Sequence, residues 1–247
     1  MEQFWNGFKI EKSVFEGKNT VVVFPKEEMR NGFLAVKTEY WDAFPEAVEI
    51  DLLKFGYHLC FIENDNRWGT DKDIDRKARF ISAVAEKYSL SRKAVFVGMS
   101  CGGLFAIKTA AEYPELASCL YLDAPVLNYM SCPCGFGDAQ PLDEGRGIPE
   151  ILNALDMESV SELIGYRDMP LDKIPKLIEN EIPVVMVAGD SDKTVPYHEN
   201  GMLLENAYRK SNIHFEVYIK QGADHHPHGL PDNTPVISFI NKENDYE

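Results

Sequence analysis

The stretch KAVFVGMSCGGLFAIKTAAEYP, residues 93–114, leaves few options for the chain around it. An apolar, β-branched run (93–99) meets a helical pattern (101–114) with no loop between them, so Ser100 falls on a one-residue turn from strand to helix. The turn reads GMSCGG, of the form G-x-S-x-G. Such a turn holds its serine in a strained backbone conformation and crowds the residues two before and two after it. Gly98 and Gly102 remove the side chains that would collide there. The Ser100 hydroxyl is then raised above the sheet at the positive end of a helix, where a developing anion is favoured. Cys101 starts that helix, so its useful group is the backbone N–H and not the thiol.

Strand-like and helix-like segments alternate along most of the remaining sequence. Apolar runs at 20–24, 57–63, 117–125, 182–190 and 214–220 read as strands beside 93–99. Helical periodicity marks 44–56, 71–88, 101–114, 198–210 and 234–243. This alternation predicts an α/β fold, a mostly parallel central sheet with helices on both faces. FKIEKSVFEGK near the start adds an expected antiparallel edge hairpin. Residues 126–181 break the rhythm with Gly, Pro, Cys and short helical pieces, and are expected to form a small lid-like insertion within one domain spanning 1–247. An ordinary crossover helix with irregular flanks is the other reading.

Composition narrows the chemistry. The net charge of −15 opposes binding to a phosphate backbone, so no nucleic-acid partner is expected. The first residues lack the apolar run of a leader and no later run reaches membrane-spanning length, so the expected address is the cytoplasm, with no membrane partner. Five cysteines without framework spacing suit a reducing compartment. Cys132 and Cys134 could form half of a metal site, but no second pair stands at zinc-ribbon spacing.

A serine hydroxyl needs a base to take its proton and a third group to orient that base. In this topology both belong on loops after later strands, in chain order serine, acid, histidine. GDSDKTVP (189–196) follows the fifth run and QGADHHPHGL (221–230) the sixth. With GMSCGG, these features resemble the α/β-hydrolase superfamily over roughly residues 20–240. The resemblance implies Asp192 as the acid, from G-x-x-D-x-x-V-P, and His225 as the base; Asp190 and Asp123 compete for the first role, His226 and His228 for the second. It also implies an oxyanion hole from the Cys101 N–H and an N–H in the loop after the first core strand. That loop reads FPKEE, and because Pro25 has no N–H, Lys26 is the expected second donor.

The loop ENDNRWGTDKD (63–73) should border the same site, with Asn66, Arg67 and Trp68 as substrate-binding candidates alongside His226. An Asn/Gly turn leading into a helix is the plainer reading of that loop. The expected activity is serine-dependent hydrolysis of a small carboxylic ester through an acyl-enzyme, with acetylated carbohydrate as one candidate, a small-molecule ester as partner and no cofactor or metal. A thioesterase, peptidase or acyltransferase on the same triad stays open, as does a zinc-binding protein using the His and Cys clusters.

Overall fold

Two short turns organise the start of the chain. Asn6–Gly7 and Glu16–Gly17 all have positive φ, the geometry in which a two-residue turn matches the twist of its strands. They fold β1 (Gln3–Trp5), β2 (Phe8–Phe15) and β3 (Lys18–Val23) into an antiparallel meander, which contains the expected edge hairpin. The computed structural model describes residues 2–43 and 47–244.

The remaining strands are β4 (Leu34–Lys37), β5 (His58–Ile62), β6 (Ala94–Met99), β7 (Ala117–Asp123), β8 (Val184–Gly189) and β9 (Phe215–Lys220). Among the described residues they join the meander in one sheet of order β1-β2-β3-β5-β4-β6-β7-β8-β9. From β5 to β9 every pairing is parallel, whereas β3 lies antiparallel to β5. β4 was not expected from the sequence. Its four residues are all buried between β5 and β6, at the point where the strand order reverses and where open α/β sheets form their crevices.

Alternating strand residues feed two separate cores, as period two requires. Val22, Val36, Cys60, Phe96, Leu122 and Met186 face α2 (Asp71–Tyr88), α3 (Cys101–Glu112), α6 (Pro170–Glu179) and α7 (Gly201–Tyr208). Val23, Ala35, Val97, Tyr121 and Val187 face α1 (Ala47–Lys54) and α8 (Thr234–Glu243). The helix expected over 44–56 is α1; its first three residues, 44–46, lie outside the described residues.

The segment 126–181 divides in two. Its last helix, α6, packs on α3 as the crossover between β7 and β8. Residues 126–169 carry α4 (Gly147–Ala154) and α5 (Val160–Gly165) and build a third apolar cluster. Val126, Tyr129, Cys132, Ile151 and Leu163 pack there against Trp68 and against Cys101, Leu104 and Phe105 at the start of α3. This segment therefore sits at the C-terminal edge of the parallel strands.

Candidate active site

Ser100 has φ 52° and ψ −123°, a left-handed conformation that a residue with a side chain adopts only when its surroundings enforce it. Here the end of β7 enforces it. The Ser100 N–H donates to the Asp123 carbonyl at 2.9 Å, and the Ser100 carbonyl accepts from Gly103 and Val126 at 2.9 and 3.0 Å. The glycines are required by contact. A Cβ on Gly98 would lie 2.6 Å from the Gly102 carbonyl oxygen, and one on Gly103 only 2.3 Å from Pro125 Cβ. The most crowded glycine of this turn is thus Gly103, which the G-x-S-x-G pattern does not include.

The loops after β8 and β9 deliver the partners. His225 Nε2 stands 3.0 Å from Ser100 Oγ, and His225 Nδ1 stands 2.7 Å from Asp192 Oδ2. Asp192 is buried, and its second oxygen accepts from the backbone N–H groups of Thr194 and Val195, both at 2.8 Å. Those two bonds fix the plane of the carboxylate that orients the imidazole. Asp190 turns elsewhere and accepts from Gly222 N–H at 2.7 Å, bracing the two loops. Asp224 braces them again, accepting from the N–H groups of Lys193 (3.0 Å) and His225 (2.8 Å). Sequence reasoning passed over Asp224, although its position directly before the histidine was a usable signal.

Asp123 forms a second acid–histidine pair beside the first. Its Oδ1 lies 3.0 Å from His228 Nδ1, and its Oδ2 accepts from the Tyr121 hydroxyl at 2.9 Å and from Gly229 N–H. Burial pushes the Asp123 carboxyl up, but His228 and the Gly229 N–H outweigh it and hold the group below its ordinary value. His226 is exposed, with its ring edge-on to both neighbours.

A model of the prolyl oligopeptidase family matches residues 62–243. The chain belongs to that family. No curated protein matches it. Among solved structures, puromycin hydrolase is similar with a TM-score of 0.70 at 16% identity, over 97% of this chain and 40% of that one. Dipeptidyl peptidase 4 of Porphyromonas gingivalis gives 0.68 at 16% identity, over 97% and 35%. An alpha/beta hydrolase enzyme from the metagenome of lagoon sediments at Mar Chica, Morocco, gives 0.59 at 14% identity, over 95% and 99%. This chain spans less than half the length of the first two. At these identities the likeness shows the fold, which is that of the α/β hydrolases.

Within this family member, several expected site residues stand elsewhere. Lys26 follows β3, which runs opposite to its neighbour β5: Val23 pairs with Leu59, near the start of β5. The chain therefore emerges at the N-terminal edge of the parallel strands, where Lys26 lies among Phe8, Met29 and Leu53, and Ser100 emerges at the other edge. Lys26 cannot donate to an oxyanion at Ser100. The loop that does reach the serine turn follows β4. A Cβ on Gly102 would lie 3.1 Å from Thr38 Oγ1 and 3.6 Å from the Glu39 N, and the Tyr40 hydroxyl bonds the Cys101 side chain.

The NRW loop also differs from expectation. Asn66 Oδ1 accepts from Trp68 N–H at 2.8 Å, making a turn, and Trp68 is fully buried beneath the 126–169 segment, so it offers no stacking face. Arg67 donates to both oxygens of Glu150 (2.9 and 2.6 Å) and to Asp143 (2.7 Å). Its guanidinium is thus engaged by α4 and the turn before it. Cys101, Cys132 and Cys134 are buried thiols; burial pushes Cys101 and Cys134 up to about 11, as befits thiols packed in a core. Among the described residues, neither Cys132 nor Cys134 joins a cluster of ligating side chains. No helix of the described residues is long and apolar enough to cross a membrane.

Proposed function

We propose that the chain is a serine hydrolase working through an acyl-enzyme on Ser100. The observation that carries this reading is the continuous chain of contacts from Ser100 Oγ through both ring nitrogens of His225 to Asp192. In it, His225 Nε2 takes the serine proton as Oγ attacks an acyl carbon, then returns it to the leaving group. Asp192 keeps the proton on Nδ1 and stabilises the imidazolium. Water repeats the sequence to release the acid.

The tetrahedral oxyanion is held by the Cys101 N–H, at the first turn of α3, and by the Tyr40 hydroxyl, turned from the Cys101 side chain, in place of Lys26. Burial pushes the Tyr40 phenol well above its ordinary range, with the neighbouring Cys101 adding to the shift, so the group stays a proton donor. Residues 126–169 form a cap over the C-terminal edge, and Arg67 positions it. His226, exposed beside His225, faces incoming substrate.

The family match favours a short peptide or aminoacyl amide over the small carboxylic ester expected from the sequence. The test begins with a fluorophosphonate probe and mass spectrometry of the labelled peptide. Labelling at Ser100, absent in Ser100→Ala, supports the mechanism; folded wild-type protein that never labels rejects it. Turnover of aminoacyl p-nitroanilides against p-nitrophenyl esters then decides the acyl bond. Ester turnover with no amide turnover would reject the peptidase reading.

A further inference from the structure

The triad uses one histidine of the 225–228 cluster and leaves two whose arrangement it does not require. The rings of His225, His226 and His228 lie mutually edge to face, with centroids 5.0, 5.1 and 4.8 Å apart. One ring nitrogen from each lies within 4.8 Å of the others. Two of the rings are also held from behind by buried carboxylates, His225 Nδ1 by Asp192 and His228 Nδ1 by Asp123. A carboxylate on one imidazole nitrogen fixes the ring and raises the basicity of the other nitrogen. This is the support that zinc-binding histidines almost always have.

We infer that His225, His226 and His228 form a site for a divalent transition-metal ion of the zinc class, and that filling it silences Ser100. His225 and His228 give Nε2, since Nδ1 of each is already committed. Zn–N bonds of about 2.0–2.1 Å in a tetrahedral site set the nitrogens roughly 3.4 Å apart, so the three rings close by on the order of 1 Å. His226 is exposed and supplies most of that movement. Neutral Nε2 of His225 has one lone pair. It takes either the Ser100 proton, across 3.0 Å, or the metal ion, and never both. The ion is therefore an inhibitor that competes with proton transfer and leaves the fold intact. The inhibitory half of this inference rests on the triad reading above; the binding half does not.

The experiment has two arms. In the first, zinc chloride is titrated calorimetrically into metal-free wild type, Ser100→Ala, His226→Ala and His198→Ala. His198→Ala tests the other cluster of ligating groups, exposed Asp138 and His198 with half-buried Glu199. One ion per chain is expected in wild type and Ser100→Ala. Affinity should fall in His226→Ala by more than the roughly hundred-fold that loss of an outer-shell partner can cost, because a direct ligand is removed, and stay unchanged in His198→Ala. In the second, the rate of fluorophosphonate labelling at Ser100 is followed against zinc, each variant relative to its own zinc-free rate. Zinc should slow wild type, chelation should restore it, and His226→Ala should need correspondingly more zinc. No zinc uptake, equal affinity in His226→Ala, or zinc bound without slowing a labelling reaction that proceeds in its absence would each overturn the inference. Failure of Ser100 to label without zinc would instead remove the triad reading, while calorimetry still decides the binding.

Discussion

Arg67 reaches from the loop after β5 to Glu150 on α4, more than eighty positions away in sequence, and grips both of its carboxylate oxygens. The guanidinium also lies 5.3 Å above the buried Trp68 ring. One side chain thus ties the 126–169 segment to the floor beneath it. Because the ion pairs are partly exposed, Arg67→Ala should cost only about 1 kcal/mol of global stability. Its local effect should be larger, with faster amide hydrogen exchange across α4 than across α6. Equal exchange in both helices would show that Arg67 does not hold the segment.

Asp192→Asn should preserve the fold and most of the substrate affinity. It should lower kcat by about 10⁴, because an amide no longer fixes the His225 tautomer. Steady-state kinetics on the best substrate, with circular dichroism as the control, checks this. Asp190→Asn, which alters only a loop brace, should stay within a few-fold of wild type; a loss equal to that of Asp192→Asn would exchange their roles.

Tyr40→Phe removes one hydroxyl. If that hydroxyl meets the oxyanion, kcat should drop by about 10²–10³ with little change in KM. Lys26→Ala, at the far edge of the sheet, should leave both constants as they are. A silent Tyr40→Phe would transfer the second donor to a backbone N–H of the 38–40 loop.

Gly103→Ala places a methyl group 2.3 Å from Pro125 Cβ and 2.8 Å from its Cα, where backbone has to move. A loss of about 1–3 kcal/mol in urea unfolding is expected. Because Val126 donates to the Ser100 carbonyl just beyond that proline, labelling of Ser100 should slow as well. Unchanged stability would mean that the turn relaxes freely.

His58 gives a pH dependence. It is buried at the start of β5, edge-on to Phe24, and burial, aided by the Arg30 charge, pushes its pKa from 6.5 down to about 4. Between those values the unfolded chain binds a proton that the folded chain refuses. Stability is therefore full above pH 6.5 and falls as the pH drops towards 4, by up to about 3 kcal/mol. Across this range the urea midpoint of wild type should fall relative to that of His58→Phe as the pH drops, and parallel curves would reject the assignment.

What the sequence revealed and what it concealed have separate physical causes. Long periodic segments such as 71–88 were legible because both their apolar period and their stop signals are local. The grouping of Ser100, Asp192 and His225 was legible because each sits in a turn whose shape demands particular neighbours. β4 was not: four buried residues are too few to show a period, and a strand buried on both faces has no alternation to show. Missing it made β3 look like the strand that leads to the active edge, and the assignment of Lys26 followed. The burial of Trp68 was hidden for another reason, since Tyr129, Ile151 and Leu163, which share its cluster, come sixty and more positions later.

The bracing of the β8 and β9 loops by Asp190 and Asp224 also bears on timing during synthesis. The contacts of Ser100 and its glycine turn are complete once the chain has reached Val126, but the imidazole and the strand that carries it lie in residues 215–225, more than a hundred positions after the serine. A chain cut before residue 225 would lack the proposed base. On the proposed mechanism, the serine gains its base only when β9 docks, so activity should appear only once the strands from β4 to β9 are assembled.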